Sequence, residues 1–444
     1  MSGTQRTGLV DRVRNDRTFT ALGNRNYRLF ATGSLVSNVG TWMQRVAQDW
    51  LVLTLTGSAG ALGITTGLQF LPILLFSPIA GVIADRFSKR SVLMVTQFAM
   101  GSTAAVLGVL AVFGWVQTWH VYVLAFLFGT GGAFDTPARQ AFVNEMVPNA
   151  MLPNAVALNS ASFNLARMVG PATAGVIIAV LGSGIRATGW VILLNGLSYV
   201  AVVMSLKRMH SEELHPTAPL PRAKGQLRDA VRYVRARPDI LLVMGIVFFT
   251  GTFGFNFQMT TALMATQVYG KGAGEYGVLG SILAIGSLAG ALVGARRGEV
   301  HQRLVIMSAI WFGLSVIVAG FMPTYLTFAL MLPICGVISM TLMTGANSFI
   351  QMAVGDEMRG RVLALYYAVF MGGTPIGAPM LGWVAEVFGA RWTLVGGGIM
   401  TVAGTLATVA FVARRQGLVM TSYVRSTRHR PPPDITGSTP VVTD

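Results

Sequence analysis

Residues 60–90 read GALGITTGLQFLPILLFSPIAGVIADRFSKR. Positions 60–84 carry no charge, and then one acid and three bases fall within six residues. An apolar run of that length, closed by a basic cluster, predicts a helix that crosses a bilayer. Hydrocarbon offers no partner for an unpaired backbone amide, so the span must bond internally. Working outward, eleven more runs have the same character: 27–55, 91–113, 119–142, 156–181, 187–206, 239–265, 275–295, 304–321, 325–350, 361–388 and 392–413. Turn-forming residues punctuate them, among them Ser88-Lys89, Pro148-Asn149, Gly182-Ser183-Gly184, Gly270-Lys271-Gly272 and Met322-Pro323. The expected fold is an all-α membrane protein of twelve transmembrane helices.

Composition agrees. Of 444 residues, 53% are hydrophobic and 11% charged, where a soluble domain has about 25% charged. Disordered, collagenous and disulfide-stapled chains are excluded, as is nearly every soluble enzyme. Cys335 is the only cysteine and cannot form an internal disulfide, and no Cys/His spacing suits a metal. No metal or organic cofactor is expected. The first 25 residues are polar and Arg-rich and do not read as a secretory signal.

A net charge of +16 would suggest nucleic acid on a soluble protein. Laid onto the spans, 27 of the 33 basic residues fall on the side of the N-terminus. Arg186, Lys271 and Arg391 fall opposite, and Arg45, Arg139 and Arg167 lie in or at the ends of spans. The positive-inside rule then places both termini in the cytoplasm, and the charge reports topology rather than a nucleic-acid partner. The expected partners are the lipid bilayer and a small molecule. The chain divides into a tail (1–25), six spans (26–206), a linker (207–238), six spans (239–413) and a tail (414–444). The linker starts Pro-rich. Its second half, Gln226–Arg237, alternates apolar and basic residues, which suits either an amphipathic helix on an anionic leaflet or a solvated connection.

The halves repeat. Phe142 and Phe349, Leu158 and Leu365, Gly170 and Gly377, and Gly175 and Gly382 are each 207 residues apart. A parallel repeat of this kind predicts two pseudo-symmetric six-helix bundles with a cavity between them, an architecture suited to alternating access.

The segment Gly81-Val-Ile-Ala-Asp85-Arg86-Phe-Ser-Lys89-Arg90 resembles the loop signature of the major facilitator superfamily (MFS), with Ser88 where the family usually has Gly. Asp85 would lie near the start of the eleventh span, at about Arg361, where the helix dipole favours a carboxylate by roughly 0.3–2 kcal/mol. Arg86 or Arg90 would pair with Asp135, near Arg139, as a cytoplasmic latch. The second-half equivalent, from Gly290, lacks the acid, so the latch is expected on one side only. In the fifth span, Ala166-Arg167-Met-Val-Gly170-Pro171-Ala-Thr-Ala174-Gly175 resembles the superfamily's exporter motif, with alanines at two glycine positions. Its proline removes a helix bond and its small residues admit a neighbouring helix. The fourth span resembles the family pattern except that Ala125 stands where a proton-transferring Arg is expected. Over residues 26–413 the chain resembles drug/proton antiporters, above all the enterobactin-exporter-like, or transmembrane secretion effector, subgroup. That resemblance implies an exporter driven by the proton gradient and working as a monomer.

Few ionisable residues fall inside the spans. On the first, Ser34, Asn38, Thr41, Arg45, Gln48 and Asp49 share an arc of about 100°. Arg45 and Asp49, one turn apart, have the spacing of an ion pair. On the fifth, Ser160, Asn164, Arg167 and Pro171 share a face. A charge in the bilayer costs about 2.5–3.5 kcal/mol, which marks Asp49 as a proton carrier with Arg45 or Arg167 releasing the proton; the alternative is a permanent ion pair. The second half offers Phe253, Asn256, Phe257, Asn347, Tyr366 and Tyr367 instead. With Asn38 and Asn164 they would line an aromatic, sparsely polar cavity for amphiphilic ligands. The five histidines lie in loops or at helix ends, so neither a catalytic dyad nor a metal site is expected. The expected function is export of amphiphilic small molecules by secondary active transport, with uptake or facilitation as the alternative and membrane-embedded catalysis the least favoured class.

Overall fold

The computed structural model describes residues 17–215, 226–296 and 300–417. Most of the terminal tails and the Pro-rich part of the linker therefore lie outside the described residues. The described residues contain helices and no strand. By contact they divide into two compact units, one drawn from Met1–Pro221 with Thr261–Ala284 and the other from Arg222–Thr260 with Ile285–Asp444. This grouping differs from the division by chain order at 26–206 and 239–413, because Thr261–Ala284 belongs with the first unit.

The first unit opens with α1 (Arg25–Thr56), α2 (Ala59–Arg86), α3 (Lys89–Phe113), α4 (Thr118–Met146), α5 (Leu152–Val180) and α6 (Ile185–Lys207). Their ends obey local rules. Asn24, Ser58 and Ser88 accept hydrogen bonds from first-turn amides of α1, α2 and α3. Gly57 and Gly114 close α1 and α3 in the left-handed region, at φ 64° and 77°. Small residues then set the helix contacts. A Cβ on Gly129 of α4 would strike the Gln69 carbonyl of α2, and one on Gly170 of α5 would lie 2.6 Å from Trp42 Cβ of α1. Near one end, Tyr27, Phe30, Leu93, Phe142, Met146 and Leu206 form a buried apolar cluster.

The linker's second half forms α7 (Gln226–Ala236), followed by α8 (Pro238–Phe249) and α9 (Phe257–Leu263). The expected span at 239–265 is interrupted: π-helical turns occupy Thr250–Gly254 and Met264–Val268. Gly251 and Gly254 sit where a Cβ would lie 2.5 Å from the Phe370 carbonyl and 2.6 Å from the Phe312 ring, and the chain widens there. Asn256 Nδ2 donates to the Thr252 carbonyl at 2.8 Å, one of the acceptors this widening frees. The boundary between the units falls between the two π turns, at Thr260–Thr261.

The remaining helices are α10 (Ala273–Ala295), α11 (Gln302–Gly320), α12 (Tyr325–Ala353), α13 (Asp356–Gly372), α14 (Thr374–Phe388) and α15 (Arg391–Arg415). In the second unit α7 packs on α13 and buries Ala230 and Val234. Arg415 Nη1 donates to the Arg235 carbonyl at 2.9 Å, and Arg237 bonds Asp239 and the Ala353 carbonyl. Protein thus covers the buried face of the linker helix. The repeat recurs in packing: Gly377 of α14 abuts the Thr252 carbonyl as Gly170 abuts α1, and Gly290 of α10 lies 2.6 Å by its Cβ from the Val337 carbonyl.

Among the described residues ten elements are long and apolar enough to cross a membrane, Pro238–Val268 and Asp356–Phe388 each counting once. Two more long helices, α1 and α4, carry the polar residues expected to matter. Together they are consistent with twelve spans.

Candidate functional site

The first unit concentrates its polar side chains on α1. Ser34, Gln44, Gln48 and Asp49 are all buried there, which is costly in an apolar setting unless each finds a partner. Gln44 Oε1 accepts from Asn195 Nδ2 of α6 at 2.5 Å, and Asn195 Oδ1 accepts from Ser198 Oγ at 2.9 Å. Thr41 Oγ1 and Tyr199 Oη share a hydrogen bond at 3.0 Å. Asn38 is half-buried on the same helix.

Asp49, 2% exposed, accepts a hydrogen bond from Tyr276 Oη at 2.7 Å, and Tyr276 is 1% exposed. Arg45, one turn before it on α1, interacts electrostatically with Asp49. Arg45 lays its guanidinium over the Trp42 ring, 4.7 Å from the centroid, and near Phe70 at 5.7 Å. Its Nε is buried without a hydrogen-bond partner. The i,i+4 spacing suits its interaction with Asp49, and the two aromatic faces add an attraction of about 0.5–2 kcal/mol. On α5, Asn164 Nδ2 donates to the Ser160 carbonyl at 2.9 Å and Arg167 Nη2 to Asn164 Oδ1 at 3.3 Å, so the predicted polar face exists. Arg167 Nε is likewise buried and unpartnered.

The exporter-motif residues meet α10. A Cβ on Gly175 would lie 2.6 Å from the Ala273 carbonyl, one on Gly277 would strike the Pro171 carbonyl, and one on Gly280 would lie 3.0 Å from Pro171 Cβ. The Ala172 amide donates to Ser281 Oγ at 3.2 Å. This close junction delivers Tyr276 to Asp49. Tyr276 was not among the sequence candidates; the glycine-rich run GAGEYGVLG at 272–280 was its only local signal.

At the other end of the first unit the latch residues are wired differently from expectation. Asp135 is held by Arg139 Nε at 2.8 Å, Gln97 Nε2 at 2.7 Å and Thr96 Oγ1 at 2.9 Å, while Arg139 Nη1 donates to Ser34 Oγ at 2.9 Å. Neither Arg86 nor Arg90 is its partner. Arg86 is exposed, and Arg90 caps α6 through the Leu206 and Lys207 carbonyls at 2.9 and 3.1 Å. The basic residue of that cluster that does pair is Lys89, with Glu145 at 2.9 Å. Gly81 and Asp85 lie half-buried in the last turns of α2. The eleventh-span helix begins at Asp356 rather than near Arg361, and its first turn already holds Asp356 and Glu357.

In the second unit the proposed cavity residues separate. Phe257 is 6% exposed and packs edge-on to Phe312, with ring centroids 5.8 Å apart. Tyr366 is fully buried, its ring edge-on to Tyr367 at 5.2 Å. Both are core side chains, not cavity lining, because one residue along a helix turns a side chain by about 100°. Tyr367 is the exposed one, and its hydroxyl accepts from Asn347 Nδ2 at 2.7 Å. Phe253 is half-buried, and Asn256 keeps its Oδ1 buried and unpaired.

Comparison with known proteins completes the picture. The chain is 27% identical over 393 residues to the staphyloferrin A transporter of Staphylococcus aureus, covering 85% of this chain and 94% of that one. It is 28% identical over 415 residues to the multidrug efflux pump Tap of Mycobacterium tuberculosis, with 87% and 93% covered. It is 24% identical over 386 residues to macrolide efflux protein A of Streptococcus pyogenes, with 84% and 92% covered. In fold it resembles a bacterial homologue of the human lysosomal transporter Spinster (TM-score 0.64, 14% identity, 91% and 99% covered). The D-xylose–proton symporter is similar at TM-score 0.64 and 13% identity, with 85% and 97% covered. The family model of transmembrane secretion effectors matches residues 17–435. Helices, glycine junctions, exporter motif and relatives agree: the chain is a multi-pass membrane transporter of the major facilitator superfamily and belongs to its transmembrane secretion effector family.

Proposed function

We propose that this transporter exports amphiphilic small molecules, in the range of drugs, siderophores and other secondary metabolites, by alternating access in exchange for protons. Asp49 is the proton carrier. The observation that carries this reading is a carboxylate 2% exposed inside an apolar helical unit and bonded to a tyrosine hydroxyl. A group so placed changes its surroundings' charge balance whenever it gains or loses a proton. The siderophore and drug transporters among its relatives support export of this substrate class. Arg45 and Arg167, each with a buried unpartnered Nε, answer the charge of Asp49 as substrate enters. Lys89–Glu145 and Asp135–Arg139 hold the cytoplasmic ends of α3 and α4. The chain works as a monomer in a bacterial inner membrane, with both termini in the cytoplasm and the proton gradient as its only energy source.

Everted vesicles provide the test, with ethidium as the probe. An imposed pH gradient, acid inside, should drive ethidium accumulation by the native protein, and Asp49→Asn should abolish it while leaving expression and thermal unfolding intact. A fully active Asp49→Asn protein removes the proton role from Asp49. Accumulation only down the ethidium gradient, unaffected by pH, identifies a facilitator.

A further inference from the structure

We infer that Tyr276 is the positioning residue through which the charge on Asp49 holds α10 seated against α1 and α5; this rests on the proton-carrier reading of Asp49 above. The seat is built within the first unit. Gly277 and Gly280 of α10 bring its backbone against Pro171, Gly175 admits the Ala273 carbonyl, and Ser281 receives the Ala172 amide. Small residues let the two backbones approach closely, so the seat is built mainly of van der Waals contact. On the same turn of α10 as Gly277 stands a side chain that makes a directional polar contact with α1, the Tyr276 hydroxyl at 2.7 Å from Asp49 Oδ2. Both partners are buried, so water does not replace the bond while the helix stays seated.

The chemistry gives this contact a sign. With Asp49 ionised, the hydroxyl donates to a carboxylate, and such charge-assisted bonds are about twice as strong as neutral ones. A proton on Asp49 turns the bond into a neutral one. Proton loading therefore loosens the seat, and by reciprocity a seated α10 favours proton release while a lifted one favours proton uptake. For an exchanger that is a useful asymmetry: the empty, ionised carrier is held seated and does not cycle without cargo. The other charged and titratable groups around this contact are Arg45, one turn back on α1; Arg167 on α5; Tyr199 on α6; and Glu275 and Lys271, next to Tyr276 and before α10. Arg45 interacts electrostatically with Asp49 while lying over Trp42 and Phe70, and the Tyr276 hydroxyl gives Asp49 a directional donor on α10.

The experiment uses the full chain in liposomes and follows two signals across pH. The first is the infrared stretch of the protonated Asp49 carboxyl, assigned by its loss in Asp49→Asn. The second is hydrogen exchange of residues 273–284. In the native protein, protection of 273–284 should fall as the Asp49 band appears. In Tyr276→Phe the Asp49 midpoint should move up by about one pH unit, the size of one lost charge-assisted bond, and the exchange step should disappear. In the Asp49→Asn background, Tyr276→Phe should change neither signal. An Asp49 midpoint unmoved by Tyr276→Phe overturns the inference and leaves the proton-carrier reading standing. Absence of any carboxyl band lost in Asp49→Asn overturns that reading itself. Should Tyr276→Phe not fold, the native protein still decides: 273–284 protection that ignores Asp49 protonation overturns the inference.

Discussion

The two units use the same helix pairings with different interiors. Gly170 of α5 lies on α1 in the first unit, and Gly377 of α14 lies on the Thr250–Gly254 turn in the second. Around the first junction are Asp49, Arg45, Arg167, Gln44 and the Asp135–Arg139 hub. Around the second are Phe255, Phe257, Phe312 and Phe370, with ring centroids 5.1–5.8 Å apart, and hydroxyls such as Thr250 and Thr252 that bond back to their own helix. One backbone plan therefore serves two tasks. A packing scheme set by small residues tolerates either charge or aromatics in the space it leaves.

Substitutions in both units test that contrast, in order of expected effect. Asp49→Asn should remove pH-driven ethidium export altogether in the vesicle assay, whereas Asn256→Ala, at a buried polar residue of the second unit, should leave the pH dependence of export in place. Asp135→Ala should destabilise the protein by about 3–5 kcal/mol, because it strands Arg139 and the donors of Gln97 and Thr96. Thermal unfolding in detergent measures it, and a loss below about 1 kcal/mol would mean the hub is dispensable. Gly377→Val places branched carbon against the Thr252 carbonyl and should cost about 1–3 kcal/mol by overpacking, read by the same unfolding assay. If Gly377→Val costs nothing while Gly170→Val is severe, the two junctions are not equivalent. Phe257→Leu should cost about 1 kcal/mol and leave transport rates within twofold, as expected of a core ring. A large change in ethidium affinity would return Phe257 to the binding cavity.

Much of this was legible in the chain before any coordinates. Span 60–84 became α2, and Ser88, read as a turn, caps α3, because hydrocarbon and first-turn amides leave few alternatives. Asp49 stood out as a carboxylate far from a helix end, and the exporter motif as a close-packing face. Three features were not legible. The break in Pro238–Val268 comes from Phe370 and Phe312 approaching glycines from other helices. Arg45 also lies over Phe70 of α2, a contact that its neighbours on α1 do not foreshadow. Lys89 rather than Arg90 reaches an acid because each side chain leaves its helix at a different angle.

Sequence alone carried the membrane character and the family resemblance, since each follows from local apolar length and motif spacing. Tertiary structure decided which polar groups meet. Tyr276 lies 227 residues beyond Asp49, and only the glycine contacts of α10 with α5 bring its hydroxyl to that carboxylate. Pairings across such distances depend on where helices touch, and a single chain's spacing does not encode that.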